Sequence, residues 1–133
     1  MMQMNTLLVS ILLTITGWCC KSTTVQNQPA TPFTGKLVIS EICNHYVVAL
    51  VSGKLDPGVL TSKFHDEKRK SDYSNVFTVE SRCSFAEAGI SEGDIFTFEL
   101  APADYKEDCM VCMAYYPTPP TRLSIIKVKK INP

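Results

Sequence analysis

Ile95-Phe96-Thr97-Phe98-Glu99-Leu100 is the stretch that decides the fold. Phe96, Phe98 and Leu100 alternate with Thr97 and Glu99, the period of a strand with one buried face. Glu92-Gly93-Asp94, just before it, is a tight-turn signal. The same character recurs towards the N-terminus. Tyr46–Val51 (YVVALV) is apolar on both faces, as suits a central or doubly covered strand. Lys36–Cys43 (KLVISEIC) sends Leu37, Ile39 and, after a slip, Ile42 inward, and Asn44-His45 interrupts it. Leu60–His65 and Val76–Glu80 read as two strands joined by the charged loop Asp66–Ser74. Ser52-Gly53 and Asp56-Pro57-Gly58 mark turns before them. Ser84–Gly89 fits a single helical turn that Gly89 ends.

Beyond Leu100, Ala101–Asp108 reads as a loop. Cys109–Tyr116 (CMVCMAYY) and Leu123–Ile131 (LSIIKVKKI) are the expected last strands, with Pro117-Thr118-Pro119-Pro120 turning between them. The step from Ile125 to Ile126 breaks alternation and predicts a bulge. Six or seven short strands at about this spacing predict an all-β domain. The expected form is a small closed or partly open barrel, or a sandwich, with at most one short helical turn. The succession of strand pair, long hairpin, helical turn and Gly-Asp strand entry resembles OB-fold barrels over most of residues 35–131. The segments Cys112–Pro119 and Asn75–Phe77 are similar to uncharacterised Bacteroidota envelope proteins, a likeness that implies no activity.

The 133-residue chain opens differently. Met1–Trp18 has no charged side chain, and Leu7–Trp18 is an apolar run of about a dozen residues, the length of a signal-peptide core. A membrane span needs roughly 20. Cys19-Cys20-Lys21 follows, and then the polar stretch Ser22–Gln28. This N-terminus resembles bacterial lipoprotein precursors of Bacteroidota type. The resemblance implies a signal peptide over 1–19 and lipid on Cys20, with Cys19 the alternative. Lys21–Pro32 then acts as a spacer; its polar and proline content forms no core, and extended it reaches roughly 40 Å. The expected organisation is signal 1–19, lipidated cysteine and tether 20–33, and barrel domain 34–133. Surface-export signals in such lipoproteins resemble short acidic runs after the cysteine; with Lys21-Ser22-Thr23-Thr24 in that place, the resemblance implies a periplasm-facing envelope protein, attached to the membrane through its anchor.

Removing signal and tether leaves about 100 residues, enough for one modest core. Thirteen basic and thirteen acidic residues cancel, so no broad field favours nucleic acid. The run Lys63, Lys68, Arg69, Lys70 is interrupted by Asp66, Glu67 and Asp72 and reads as a solvated loop.

Cys43, Cys83, Cys109 and Cys112 remain in the domain. An even number behind an export signal predicts disulfides, and four cysteines allow three pairings. Residues three apart in a straight strand lie about 10 Å from each other, too far for a bridge. A straight Cys109–Tyr116 strand would therefore send Cys109 and Cys112 to Cys43 and Cys83. A turn at Met110-Val111 would instead let them share a bridge or a metal. Cys109, Cys112 and Met113, with His45, are the candidate set for copper or zinc, because thiolate and thioether are soft donors.

No motif for a Ser nucleophile, a zinc hydrolase or a phosphate loop occurs. A Cys–His nucleophile would need Cys43 or Cys83 as a free thiolate. The acidic pairs Asp66-Glu67 and Glu107-Asp108 read as solvated loop residues. Tyr115, Tyr116 and the following prolines are a candidate rim for a protein, peptide or glycan. The expectation is a cofactor-free, non-enzymatic binding or structural module of the cell envelope. Metal handling through Cys109–Cys112 is the alternative, and a hydrolase the third reading.

Overall fold

The computed structural model describes residues 31–56 and 58–131. The signal 1–19, the lipidation candidates Cys20 and Cys19, and the tether as far as residue 30 lie outside the described residues. Among the described residues the first element is β1 (Phe33–Glu41), which begins one residue before the expected domain start. A 3-10 turn (Ile42–Asn44) leads to β2 (His45–Ser52). The hairpin β3 (Thr61–Asp66) and β4 (Ser71–Val79) follows, then helix α1 (Arg82–Glu87). The chain ends in β5 (Ile95–Leu100), β6 (Arg122–Leu123) and β7 (Ile125–Lys130).

The seven strands of the described residues lie in one sheet, in the order β3-β4-β2-β1-β5-β7, with β6 beside β4. Neighbours along that path are antiparallel. β6 instead runs parallel to β4 through Thr78↔Arg122 and Val79↔Leu123. Only Ser124 separates β6 from β7. The last segment thus meets β4 with its first part and β5 with its second. This seam of two residue pairs brings distant strands together without closing the sheet. The fold is all-β, at the open end of what the sequence predicts.

Alternation places the core. Leu37, Val48, Phe77, Phe96, Phe98 and Ile125 are fully buried in one cluster. Each such side chain contributes roughly 1.5–3 kcal/mol by leaving water. Phe85 brings α1 onto this cluster, with ring centroids 4.9 Å from Tyr46 and 5.4 Å from Phe96. Gly35 marks a close approach: a Cβ there would lie 2.6 Å from Val48 Cγ1, so any side chain would push β1 off β2. The expected bulge is present, two residues further along than the sequence suggests. Pairing slips between Thr97↔Lys129 and Glu99↔Ile126, and Lys127 takes φ 53°.

Four expectations change. Ile42 does not face the core; it sits in the β1–β2 turn, 65% exposed. The charged loop 66–74 shrinks to the turn Glu67–Lys70, because β4 extends back to Ser71 and pairs with β3. A 3-10 turn joins the single helical turn expected. Most consequentially, Cys109–Tyr116 is not a strand: residues 103–120 pair with no strand of the sheet.

Candidate functional site

The connection from β5 to β6, residues 101–121, is the longest irregular stretch of the described chain. Its ends are fixed by backbone contacts. Ala101 N–H donates to Ser124 O at 2.9 Å, and Thr78 N–H donates to Thr121 O at 2.8 Å. Thr78 Oγ1, fully buried, donates to Pro119 O at 2.8 Å. Between these ends two disulfides hold it. Cys109 is bridged to Cys83 on α1, with Cα atoms 6.5 Å apart. Cys112 is bridged to Cys43 in the β1–β2 turn, with Cα atoms 5.0 Å apart. The two cysteines of the C-x-x-C therefore bond to different elements, not to each other. That is the pairing expected of a straight strand, reached by an irregular loop.

The anchor of Cys43 is itself strained. Cys43 and the following Asn44 take φ 59° and 55°. Left-handed backbone costs a non-glycine residue roughly 1–2 kcal/mol, and Asn tolerates it better than Cys. The bridge to Cys112 fixes that turn against the loop.

A third attachment is polar. Tyr116 is buried, and its hydroxyl donates to Asp66 Oδ2 at 2.6 Å. Asp66, 3% exposed, also accepts the Lys68 and Arg69 backbone N–H groups at 2.8 and 3.0 Å. Arg69 Nη1 donates to Tyr116 Oη at 2.7 Å and Glu41 Oε1 at 2.6 Å, and Nη2 donates to Glu92 Oε2 at 2.9 Å. Lys68 Nζ adds bonds to both Glu41 oxygens. One arginine thus joins β1, the β3–β4 turn, the approach to β5 and the loop. Burial pushes Tyr116 up to about 12, helped by the neighbouring Asp66 carboxylate. Burial alone would raise Asp66, but the Tyr116 hydroxyl, two backbone N–H groups and the Arg69 charge hold it below the usual carboxylate range. Glu41 is lowered chiefly by its bond to Lys68, against the pull of burial. Asp66 and Arg69 are therefore not the solvated loop charges that the sequence suggests.

His45 is 8% exposed, and its Nε2–H donates to Ala114 O at 2.9 Å. Among the described residues its Nδ1 has no partner. His65 lies on the surface and donates from Nδ1 to Asp72 Oδ1 at 2.7 Å.

Glu107 is the second acid that the sequence misreads. Ser81 precedes α1, but its hydroxyl exchanges two 2.9 Å hydrogen bonds with the Ile125 backbone instead of capping the helix. Glu107 reaches in from the loop and accepts the Cys83 and Ser84 N–H groups, both at 3.0 Å. Burial would raise its carboxyl; the bonds from Ser84, Cys83 and Tyr105 hold it below the ordinary range. Glu107 and Cys109 border a cavity of about 440 Å³.

The metal set Cys109, Cys112, Met113 and His45 is divided by this arrangement. Each sulfur of the C-x-x-C is bonded elsewhere, His45 Nε2 is used by Ala114, and Met113 is 96% exposed. The trio the structure does gather is Cys83, Glu107 and Cys109, with ligand atoms within 4.8 Å of one another. The two tyrosines also part: Tyr116 is buried, while Tyr115 is 86% exposed. Met110, fully exposed, Met113 and Tyr115 are the most exposed large apolar side chains of the described chain. Ile42, next to the bridged Cys43, adds to them.

The fold and site define a small all-β domain with a doubly stapled loop that exposes Met110, Met113 and Tyr115. No protein-family model, curated protein or solved structure matches the chain. Two disulfides point to an oxidising, extracytoplasmic environment.

Proposed function

We propose that this chain is a cell-envelope lipoprotein whose β-domain is a non-enzymatic binding module, with the 101–121 loop as its contact surface. The reading rests on one observation above all: Met110, Met113 and Tyr115, 86–100% exposed, sit on the loop that both disulfides fix. Exposed apolar groups on a mobile loop would lose entropy on binding; a cross-linked loop has already lost much of it. Methionine adapts to irregular apolar surfaces, and tyrosine pairs a large ring with a polar tip. This chemistry suits a protein partner with an apolar patch. The buried Asp66 and the half-buried Arg69, Glu41 and Glu107 support the non-enzymatic reading, since each is already engaged by structural partners. Acylation of Cys20 would supply anchoring at roughly 0.8 kcal/mol per buried methylene.

A photo-crosslinking side chain placed at Met113 in the full chain tests the contact surface. A discrete adduct is expected at Met113, absent when the same group replaces Val51, which is 54% exposed on β2. Equal adducts at both positions, or none at Met113, would contradict the reading. Intact mass of membrane-extracted protein tests the anchor: acyl mass on an N-terminal Cys20 is expected, and an unmodified soluble chain refutes it.

A further inference from the structure

We propose that the Cys83–Cys109 bridge masks a zinc site, released by reduction and formed by the two sulfurs and a Glu107 oxygen. The site goes beyond the docking surface and does not depend on it.

Four observations carry the site. Glu107 is already oriented beside the bridge by the Cys83 and Ser84 N–H groups at 3.0 Å and the Tyr105 hydroxyl at 3.2 Å. The three ligand atoms lie within 4.8 Å of one another. Zinc takes thiolate at about 2.3 Å and carboxylate oxygen at about 2.0–2.2 Å, so tetrahedral neighbours sit roughly 3.3–3.8 Å apart. The separation of 6.5 Å between the Cα atoms is near the wide end of the disulfide range, leaving room for the freed sulfurs to part. Finally, the cavity of about 440 Å³ beside Cys109 leaves a fourth position open to water, with Arg82 and Lys106 on its wall. Those cations offset part of the charge of two thiolates and a carboxylate.

The other bridge lacks these features. Cys43 and Cys112 are 5.0 Å apart at Cα, and no such trio of ligands includes them among the described residues.

The reductant is a dithiol carrier. Its thiolate attacks the exposed Cys109 Sγ, and Cys83 leaves as thiolate. The carrier's second thiolate then displaces Cys109 and departs as a disulfide, so two electrons pass to the protein. Zinc binding releases the remaining thiol protons to solvent. The loop stays tied to α1 in both states, by a covalent bond or by the metal.

The test uses the full chain with Cys19→Ser and Cys20→Ser, leaving the four domain sulfurs as the only thiols. Cobalt(II) serves as a coloured probe for zinc. After phosphine reduction, one cobalt per chain with thiolate-to-metal charge-transfer absorption is expected, displaced by zinc; the oxidised protein should give none. Glu107→Gln should weaken binding by at least about tenfold, the scale on which groups of a metal site act. Cys43→Ser/Cys112→Ser should retain it. The proposal fails if the reduced chain shows no charge-transfer band, if Glu107→Gln binds as tightly as the parent, or if a folded Cys43→Ser/Cys112→Ser chain loses the band. Should that double variant not fold by far-ultraviolet circular dichroism, the Glu107→Gln comparison decides alone. Cysteines binding metal in an unfolded chain would ignore Glu107.

Discussion

Phe77, Phe96 and Phe98 are fully buried and pack ring against ring, with centroids 5.7–5.9 Å apart. Met110, Met113 and Tyr115, only a dozen or so residues beyond Phe98, are almost wholly in water. The first set holds the sheet by removing apolar area from solvent. The loop that carries the second set has no sheet pairing for most of its length and is held at discrete points: two sulfur bridges, a tyrosine–carboxylate bond and a helix cap. The difference teaches where each kind of force is economical. A sheet buries side chains in rows, so apolar burial accumulates along it. An irregular loop has few inward positions, so specific bonds must fix it one residue at a time.

The largest break in that comparison should come from the core. Phe98→Ala removes a ring that also touches Phe33 at 5.5 Å between centroids. It should cost about 3–5 kcal/mol in denaturant unfolding, enough to threaten a domain of this size. Cys43→Ala/Cys112→Ala should come next. The bridge spans 69 residues of sequence. The chain-entropy model gives about 4 kcal/mol for a loop of that length, and relief of the strained Cys43 backbone should reduce the loss. Far-ultraviolet circular dichroism should keep the sheet signal in this variant if the sheet and loop are independently held.

Tyr116→Phe should cost about 1–3 kcal/mol, because it leaves the buried Asp66 short of a donor. A pH series sharpens the same point. Asp66 is lowered in the folded state, so its contribution is complete above the unfolded carboxylate range and is lost as pH falls through the folded value. Unfolding free energy should therefore drop on acidification below about pH 4, and Asp66→Asn should flatten that limb. An unchanged acid limb would mean that Asp66 is not a main anchor. The smallest effect on stability belongs to Met110→Ser/Tyr115→Ser, read in the chain that carries the crosslinking side chain in place of Met113. Each change should stay within about 0.5 kcal/mol while abolishing the proposed adduct at the loop. A large destabilisation there would show that these side chains pack somewhere rather than wait for a partner.

Several elements were legible from one-dimensional pattern. Alternation found β5 and the inward Leu37 and Ile39, and continuous apolarity marked β2 as central. Gly89 ended the helical turn, as its φ of 66° explains. Cys109–Tyr116 misled because β-branched and aromatic residues suit a pleated surface without guaranteeing a strand to pair with. Instead Ala114 O accepts from the His45 ring, and the flanking sulfurs are drawn to two different elements. In sequence, Asp66 and Glu107 look solvated because carboxylates usually are. Their partners, Tyr116 and the start of α1, lie 50 and about 24 residues away, beyond any local window.

By itself, then, the sequence determined the all-β class, most core positions along the strands (Ile42 and Leu100 are exposed) and the presence of cysteines enough for two bridges. These follow from side-chain period and composition, which are local properties. The tertiary structure alone decided which sulfurs meet, which acids are buried, and which of two adjacent tyrosines faces solvent. Those outcomes depend on groups brought close by the path β4-β2-β1-β5 and the β4–β6 seam. A charge or a thiol has no fate until the fold supplies its neighbour.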